Sequence, residues 1–159
     1  MKYDKILFLC AAILFMGMAS NPVNFEKNAS ISLACDSCLV IDGKNSVKIR
    51  LSNKSRTDYW INTWNLHVLL RYENGKPVEE ASNKRTPDSP FETQFKILKG
   101  SETLEIIWEI NFSDQYKISS TPKYQIECSY ENSLEQDNTK FKTLIGYAHS
   151  NSVNVSFCK

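Results

Sequence analysis

Cysteines offer the most distinctive chemistry in this sequence, and their spacing limits what that chemistry can be. Four of the five cysteines lie beyond residue 20: Cys35, Cys38, Cys128 and Cys158. In an oxidising compartment an even number indicates two disulfides, and four cysteines allow three pairings. Cys35 and Cys38 also have zinc-ligand spacing, but structural zinc sites usually offer a second close pair, which this sequence lacks. Disulfides are therefore favoured over a metal site.

Strand parity predicts a specific pairing of these cysteines. Residues of like parity share one face of a strand. Cys35 and Cys128 lie in phase with the apolar residues of their segments, whereas Cys158 lies out of phase. We therefore expect a Cys35–Cys128 disulfide through the core and a Cys38–Cys158 disulfide at the edge. A local Cys35–Cys38 bridge, which leaves Cys128 to pair with Cys158, stays open as the alternative.

Histidine, the commonest general base in enzymes, occurs only as His67 and His149. A serine triad needs a histidine beside a serine and a carboxylate, but His67 lies on the polar side of an alternating segment. The sequence has no Gly-x-Ser-x-Gly elbow, phosphate loop or calcium loop. Its paired carboxylates, such as Glu79-Glu80, fall in a solvated turn. We therefore expect no catalytic residue, no cofactor and no metal ligand, and a protein that is not an enzyme.

Three neighbouring aromatic residues, Tyr59, Trp60 and Trp64, are the best candidates for a binding surface. Aromatic rings supply a large rigid contact area, and Tyr and Trp add a polar tip, which suits a protein partner or a sugar. The alternative is that Trp60 or Trp64 is the core tryptophan that immunoglobulin-like sandwiches usually contain. The cluster therefore predicts either a contact surface or a part of the core.

A charged segment with two prolines, residues 83–90, adds a second candidate contact region. It contains Lys84, Arg85 and Pro87 and shows no hydrophobic period, which is typical of an exposed loop. One loop of this kind can block the cleft of a protease. We therefore include these three residues in the predicted binding surface.

The first twenty residues have the pattern of a secretory signal. Two lysines precede an apolar stretch from Ile6 to Ala19, and small residues end it. The stretch is about fourteen residues long, whereas a membrane-spanning helix needs roughly 20. We therefore predict a signal peptide over residues 1–20 with cleavage near Ala19 or Ser20, and a secreted or periplasmic protein with no membrane span in the mature chain.

Apolar and polar residues alternate with a period of two along most of the remaining chain, as in Val47, Ile49 and Leu51. Such alternation predicts half-buried strands, and Asn74-Gly75 is a strong hairpin signal. About seven segments show the pattern, near residues 31–41, 47–51, 66–72, 91–97, 104–110, 124–130 and 153–157. The sequence therefore predicts an all-β fold, a single immunoglobulin-like antiparallel β-sandwich over residues 21–159.

Composition and charge agree with one globular domain. The chain has 159 residues, of which 42% are hydrophobic and 23% are charged, as in ordinary globular proteins. Its 19 basic and 18 acidic residues leave almost no net charge. A protein that binds nucleic acid generally shows a basic surplus, so we expect no nucleic-acid partner.

Several short segments together resemble a known family. They are Leu51–Ser55, Trp60–Asn65, Asn74–Val78, Lys84–Pro87, Phe95–Ser101, Tyr116–Ile118, Tyr124–Ile126 and Ser150–Val153. In this order they resemble the immunoglobulin-like domain that precedes the catalytic domain of secreted deuterolysin-type (peptidyl-lysine) zinc endopeptidases. The resemblance covers roughly residues 45–157 and implies the same sandwich architecture.

The resemblance implies an accessory role, because the catalytic motif of that family is absent. Those peptidases carry a zinc-binding His-Glu-x-x-His helix in a second domain. Here His67 and His149 are far apart and neither is followed by Glu. We therefore expect a non-catalytic binding module whose partner is a protein, such as a protease, or a surface glycan. A secreted protease inhibitor and a structural subunit of a surface assembly are the alternatives.

Overall fold

The structure of the protein is a computed structural model that describes residues 23–81, 95–133 and 141–158. The predicted signal peptide and the 83–90 segment, with Lys84, Arg85 and Pro87, lie outside the described residues. The strands, in chain order, are β1 Val23–Asn24, β2 Ala29–Cys35, β3 Cys38–Val40, β4 Asn45–Asn53, β5 Tyr59–Asn62, β6 Leu66–Tyr72, β7 Phe95–Leu98, β8 Thr103–Ile110, β9 Tyr124–Asn132, β10 Lys142–His149 and β11 Val153–Cys158. The helical turns are α1 Phe25–Asn28, η1 Thr63–Asn65 and η2 Phe112–Asp114.

Two sheets enclose one hydrophobic core. Strands β2, β4 and β8 form an antiparallel three-stranded sheet in that order. The larger sheet runs β3-β11-β9-β10-β5-β7, with β6 paired to β9 and β1 paired to β10. Strand β2 contacts β9, β10 and β11 of the larger sheet. Strand β9 therefore lies in the middle of the larger sheet, with β6 along one edge and β10 and β11 along the other.

The predicted all-β fold is confirmed, but the predicted strand count and purely antiparallel pairing are wrong. The described residues form eleven strands, and the pairs β1–β10, β3–β11 and β5–β10 are parallel. Strand β10 was not predicted, because Leu144 and Ile145 are adjacent apolar residues and Gly146 interrupts the pattern. Both features break the alternation that marks a half-buried strand.

Alternating burial explains why the correctly predicted strands form. Val47, Ile49 and Leu51 of β4 are completely buried, and their neighbours face outward. Burying one such side chain contributes about 1.5–3 kcal/mol relative to its exposed state. In β7 the alternation predicts that Ile97 faces the core. The structure has the opposite face inward, since Leu98 is buried and Ile97 is exposed.

A buried asparagine joins the ends of three elements. The side chain of Asn53 is only 5% exposed. Its Nδ2 donates to the carbonyl oxygens of Thr57, at 2.8 Å, and Leu98, at 3.1 Å. Its Oδ1 accepts from the backbone N–H of Ser55 at 2.9 Å and from the Ser55 hydroxyl. Asn53 therefore connects the end of β4 to the turn before β5 and to the end of β7.

The cysteines confirm one predicted disulfide and leave the other unformed. Cys38 and Cys158 are bonded, which excludes the local Cys35–Cys38 bridge. Cys35 and Cys128 carry free thiols, so the predicted Cys35–Cys128 bond is absent from the structure. Cys128 is completely buried in the middle of β9, whereas Cys35 is partly exposed at the last position of β2. Like parity places both on the inward side of their strands, but parity does not set the distance between the two side chains.

We predict that Asn53→Ala destabilises the fold by about 2–4 kcal/mol, because the buried carbonyls of Thr57 and Leu98 lose their donor. The midpoint of urea unfolding, measured with the m-value, checks this. Asn62→Ala is the matched control, since the Asn62 side chain accepts a single exposed hydrogen bond from the Trp64 N–H. A loss at Asn53 no larger than that at Asn62 would contradict the structural role.

We predict that a digest made without reductant contains a peptide joining Cys38 to Cys158, and that Cys35 and Cys128 are free. In the native protein Cys128 should react with iodoacetamide far more slowly than Cys35, because burial raises the pKa of the Cys128 thiol to about 12 and only the thiolate is nucleophilic. Both thiols should react in urea. Mass spectrometry of the labelled peptides decides this, and a Cys35–Cys128 crosslink would contradict it.

Candidate functional site

The predicted aromatic surface is divided between the core and the exterior. Tyr59 is 5% exposed, and its hydroxyl donates to Asn28 Oδ1 at 3.3 Å. The prediction that Tyr59 belongs to a binding surface is therefore wrong. The physical reason is the parity of β5, which turns Tyr59 and Ile61 toward the core.

The two tryptophans of this segment have different environments. Trp60 is half-buried and packs against Phe95 and Phe141, with ring centroids 5.8 and 6.3 Å apart. Trp64 stays 51% exposed in η1. Neither is the tryptophan of the core, because that position belongs to Trp108, which is 9% exposed. Of the three predicted aromatic residues, only Trp64 is freely available for contact.

Strand pairing places both histidines of the chain beside the same serine. Ser129 of β9 is paired with His67 of β6 on one side and with His149 of β10 on the other. Side chains directly opposite each other in an antiparallel pair share a face, with Cβ atoms about 4.5–5.5 Å apart. His67 and His149 therefore flank Ser129 in one row of the larger sheet, in which both histidines are exposed and Ser129 is buried, with 6% exposure. Sequence reasoning missed this row, because His149 lies on the strand that was not predicted.

A second row of polar and aromatic side chains follows directly. Glu131 of β9 is paired with Tyr147 of β10. Tyr147 is 48% exposed, and its ring contacts His149 edge-on at a centroid distance of 4.6 Å. The η1 turn that carries Trp64 packs against β9. We use the name β9 platform for five exposed residues and the buried Ser129 between the two histidines: Trp64 of η1, His67, Ser129, Glu131, Tyr147 and His149.

The end of the platform opens into a cavity of about 420 Å³. It is lined by Asn24, Glu131, Asn132, Ser133, Ile145, Gly146 and Tyr147. The amide of Asn132 is committed to the fold, since its Nδ2 donates to the Leu144 carbonyl at 2.9 Å. The lining of the cavity therefore includes one side chain that stabilises the fold, Asn132, and exposed side chains from β1, β9 and β10.

The row around Ser129 contains a serine and two histidines, as a serine hydrolase does, but it lacks the hydrogen bonds between them. Within the described residues no hydrogen bond joins Ser129 Oγ to His67 or His149. Ser129 lies in β9, which is paired with β6 on one edge and β10 on the other. The nearby backbone N–H groups are therefore already used in hydrogen bonds. An oxyanion hole needs such donors to be free. Within the described residues the row therefore lacks the hydrogen-bonded pair of nucleophile and base that acyl transfer uses.

Gly146 determines where Tyr147 lies. Its φ of +116° is a conformation that favours glycine. Before this residue β10 pairs with β5 and β1, and from it onward β10 pairs with β9. The bend at Gly146 therefore brings Tyr147 beside Glu131 and forms one wall of the cavity.

We predict that Gly146→Ala lowers the free energy of unfolding by about 1–3 kcal/mol, because alanine is strained at this positive φ. An added Cβ would have its nearest neighbour, the Phe25 backbone nitrogen, at 3.6 Å, so backbone conformation and not crowding causes the loss. Urea denaturation measures it. Gly75→Asn is the control, since Gly75 also has positive φ but has open space around it, and asparagine tolerates this conformation. Equal stability of Gly146→Ala and the wild type would contradict the assignment.

The described residues contain no helix long and apolar enough to cross a membrane. They also contain no group of three His, Cys, Asp or Glu side chains arranged to hold a metal ion. No protein-family model and no curated protein matches the sequence.

Proposed function

We propose that the protein is a non-catalytic, exported, immunoglobulin-like binding module that contacts a protein or glycan partner through the β9 platform. The observation that carries this proposal is the group of exposed side chains His67, Glu131, Tyr147 and His149 on the larger sheet, with the exposed Trp64 in the η1 turn that contacts β9. Tryptophan and tyrosine dominate the energetically important positions of interfaces. A rigid sheet holds them with little loss of conformational entropy on binding.

The different surroundings of two exposed strand carboxylates, Glu105 and Glu131, support the choice of surface. On the β2-β4-β8 sheet, Glu105 already pairs with Arg50 at 2.9 Å and with Lys48 at 3.2 Å. These hydrogen bonds lower the pKa of Glu105. Glu131 on the platform has no ion pair or hydrogen bond within the described residues. The carboxylate oxygens of Glu131 are therefore available to accept hydrogen bonds from a partner.

Three features support export and an accessory role. The first twenty residues have the order of a secretory signal, and the Cys38–Cys158 bond suits an oxidising compartment. Two sheets around one core, together with the resemblance to the domain that precedes the catalytic unit of deuterolysin-type peptidases, favour an immunoglobulin-like module. Such a module assists recognition and leaves catalysis to other proteins.

We predict that the Trp64→Ala/Tyr147→Ala variant loses binding by tenfold or more, since two exposed aromatic anchors are removed. The test screens the purified protein against arrays of glycans and of extracellular proteins and then measures each hit by surface plasmon resonance. Arg50→Ala/Ile107→Ala is the matched control, because both side chains are exposed on the opposite sheet. Hits that are weakened equally by both variants would contradict the role of the platform.

The absence of catalysis is checked with the same preparation. Peptide, ester and glycoside libraries should show no turnover by the wild type above the level of Ser129→Ala. Turnover that disappears in Ser129→Ala, or in His67→Ala and His149→Ala, would overturn the non-catalytic assignment and identify the row as an active site.

A further inference from the structure

We propose that the cavity at the end of the β9 platform is a subsite for a neutral pyranose sugar. This inference rests on the proposed function, because the cavity shares Tyr147 and Glu131 with the platform. Its volume of about 420 Å³ falls in the range of about 300–1,000 Å³ that is usual for small-molecule sites. The bare backbone of Gly146 forms part of its wall and leaves the space open.

Three side chains of the cavity have hydrogen-bonding groups that the fold does not use. Asn24 Oδ1 accepts from the Lys27 N–H at 3.4 Å, but Asn24 Nδ2 has no partner within the described residues. The carboxylate of Glu131 and the hydroxyl of Ser133 are exposed and likewise lack partners there. The cavity therefore offers an amide donor, a carboxylate acceptor and a hydroxyl that can do either.

This set is complementary to adjacent hydroxyl groups of a sugar. Each sugar hydroxyl donates one hydrogen bond and accepts others, so one can donate to Glu131 while a neighbour accepts from Asn24 Nδ2. The ring of Tyr147, half-exposed and held by its contact with His149, supplies an apolar surface for the C–H groups of a pyranose face.

Other ligand classes fit the cavity less well. Among the described residues its lining includes Glu131 and no basic side chain, which disfavours an anion. A quaternary ammonium ion is usually enclosed by several aromatic faces, and the described part of the lining supplies one aromatic ring, that of Tyr147. A wholly apolar ligand would remove Glu131 and Asn24 from water without compensation. A neutral molecule with hydroxyl groups around an apolar face satisfies all these conditions.

The test titrates the ¹⁵N-labelled protein with the methyl glycosides of glucose, galactose, mannose and N-acetylglucosamine. At least one should shift the amide resonances of Glu131, Gly146 and Tyr147 in a saturable way, and saturation-transfer spectra should show contact between its ring protons and an aromatic side chain. Tyr147→Ala should abolish binding. Tyr147→Phe should retain it, because the apolar face is kept. Glu131→Gln should weaken it roughly tenfold, because one acceptor oxygen becomes a donor.

Ile107→Ala is the control for an exposed apolar residue on the other sheet and should bind the sugar as the wild type does. The amide spectrum of each variant shows that it is folded. Absence of any saturable shift at the cavity with all four glycosides, or equal binding by Tyr147→Ala and the wild type, would overturn the sugar subsite. If one of these two results is obtained while Trp64→Ala/Tyr147→Ala still weakens a protein hit in the array, the sugar subsite fails and the proposed function stands.

Discussion

Burial of one face of β9 is the constraint on which the arrangement of the site depends. Tyr124, Ile126, Cys128 and Tyr130 are all turned inward and are at most 1% exposed. The Tyr130 hydroxyl donates to the Leu144 carbonyl of β10 at 2.9 Å, and burial raises the pKa of Tyr130 to about 12. Because side chains alternate along a strand, anchoring this face inward turns Ser129 and Glu131 to the opposite face, where Glu131 is exposed and Ser129 is covered.

Asparagine side chains hold the fold together where strand pairing ends. Asn53 binds backbone groups of the turn before β5 and of β7. Asn151 connects the two sheets, because its amide accepts from the Leu33 N–H at 2.9 Å and donates to the Leu33 carbonyl at 3.0 Å. Each amide replaces a missing strand neighbour, so buried backbone groups keep their partners. The cost of leaving such groups unpaired, about 1–3 kcal/mol each, makes these residues hard to replace.

The same residue types can support catalysis or recognition, and the surrounding backbone decides between them. A serine between two histidines becomes a nucleophile when a histidine accepts its proton and free N–H groups stabilise the oxyanion. In the middle of a paired sheet those N–H groups are already used. The proposed binding role of the aromatic rings, in contrast, needs only a rigid support, which the paired strands supply.

Local pattern in the sequence determined the all-β class and the direction in which many side chains point. Alternation placed Cys128 inward, His67 outward and Cys158 near an edge where Cys38 could reach it. Only the tertiary structure decided that β10 exists, that Gly146 bends it onto β9, and that Ser129 therefore lies between two histidines 82 positions apart in the chain. It also left Cys35 unpaired. The physical reason is that the face of a side chain follows from its immediate neighbours, whereas register and height depend on contacts between distant segments.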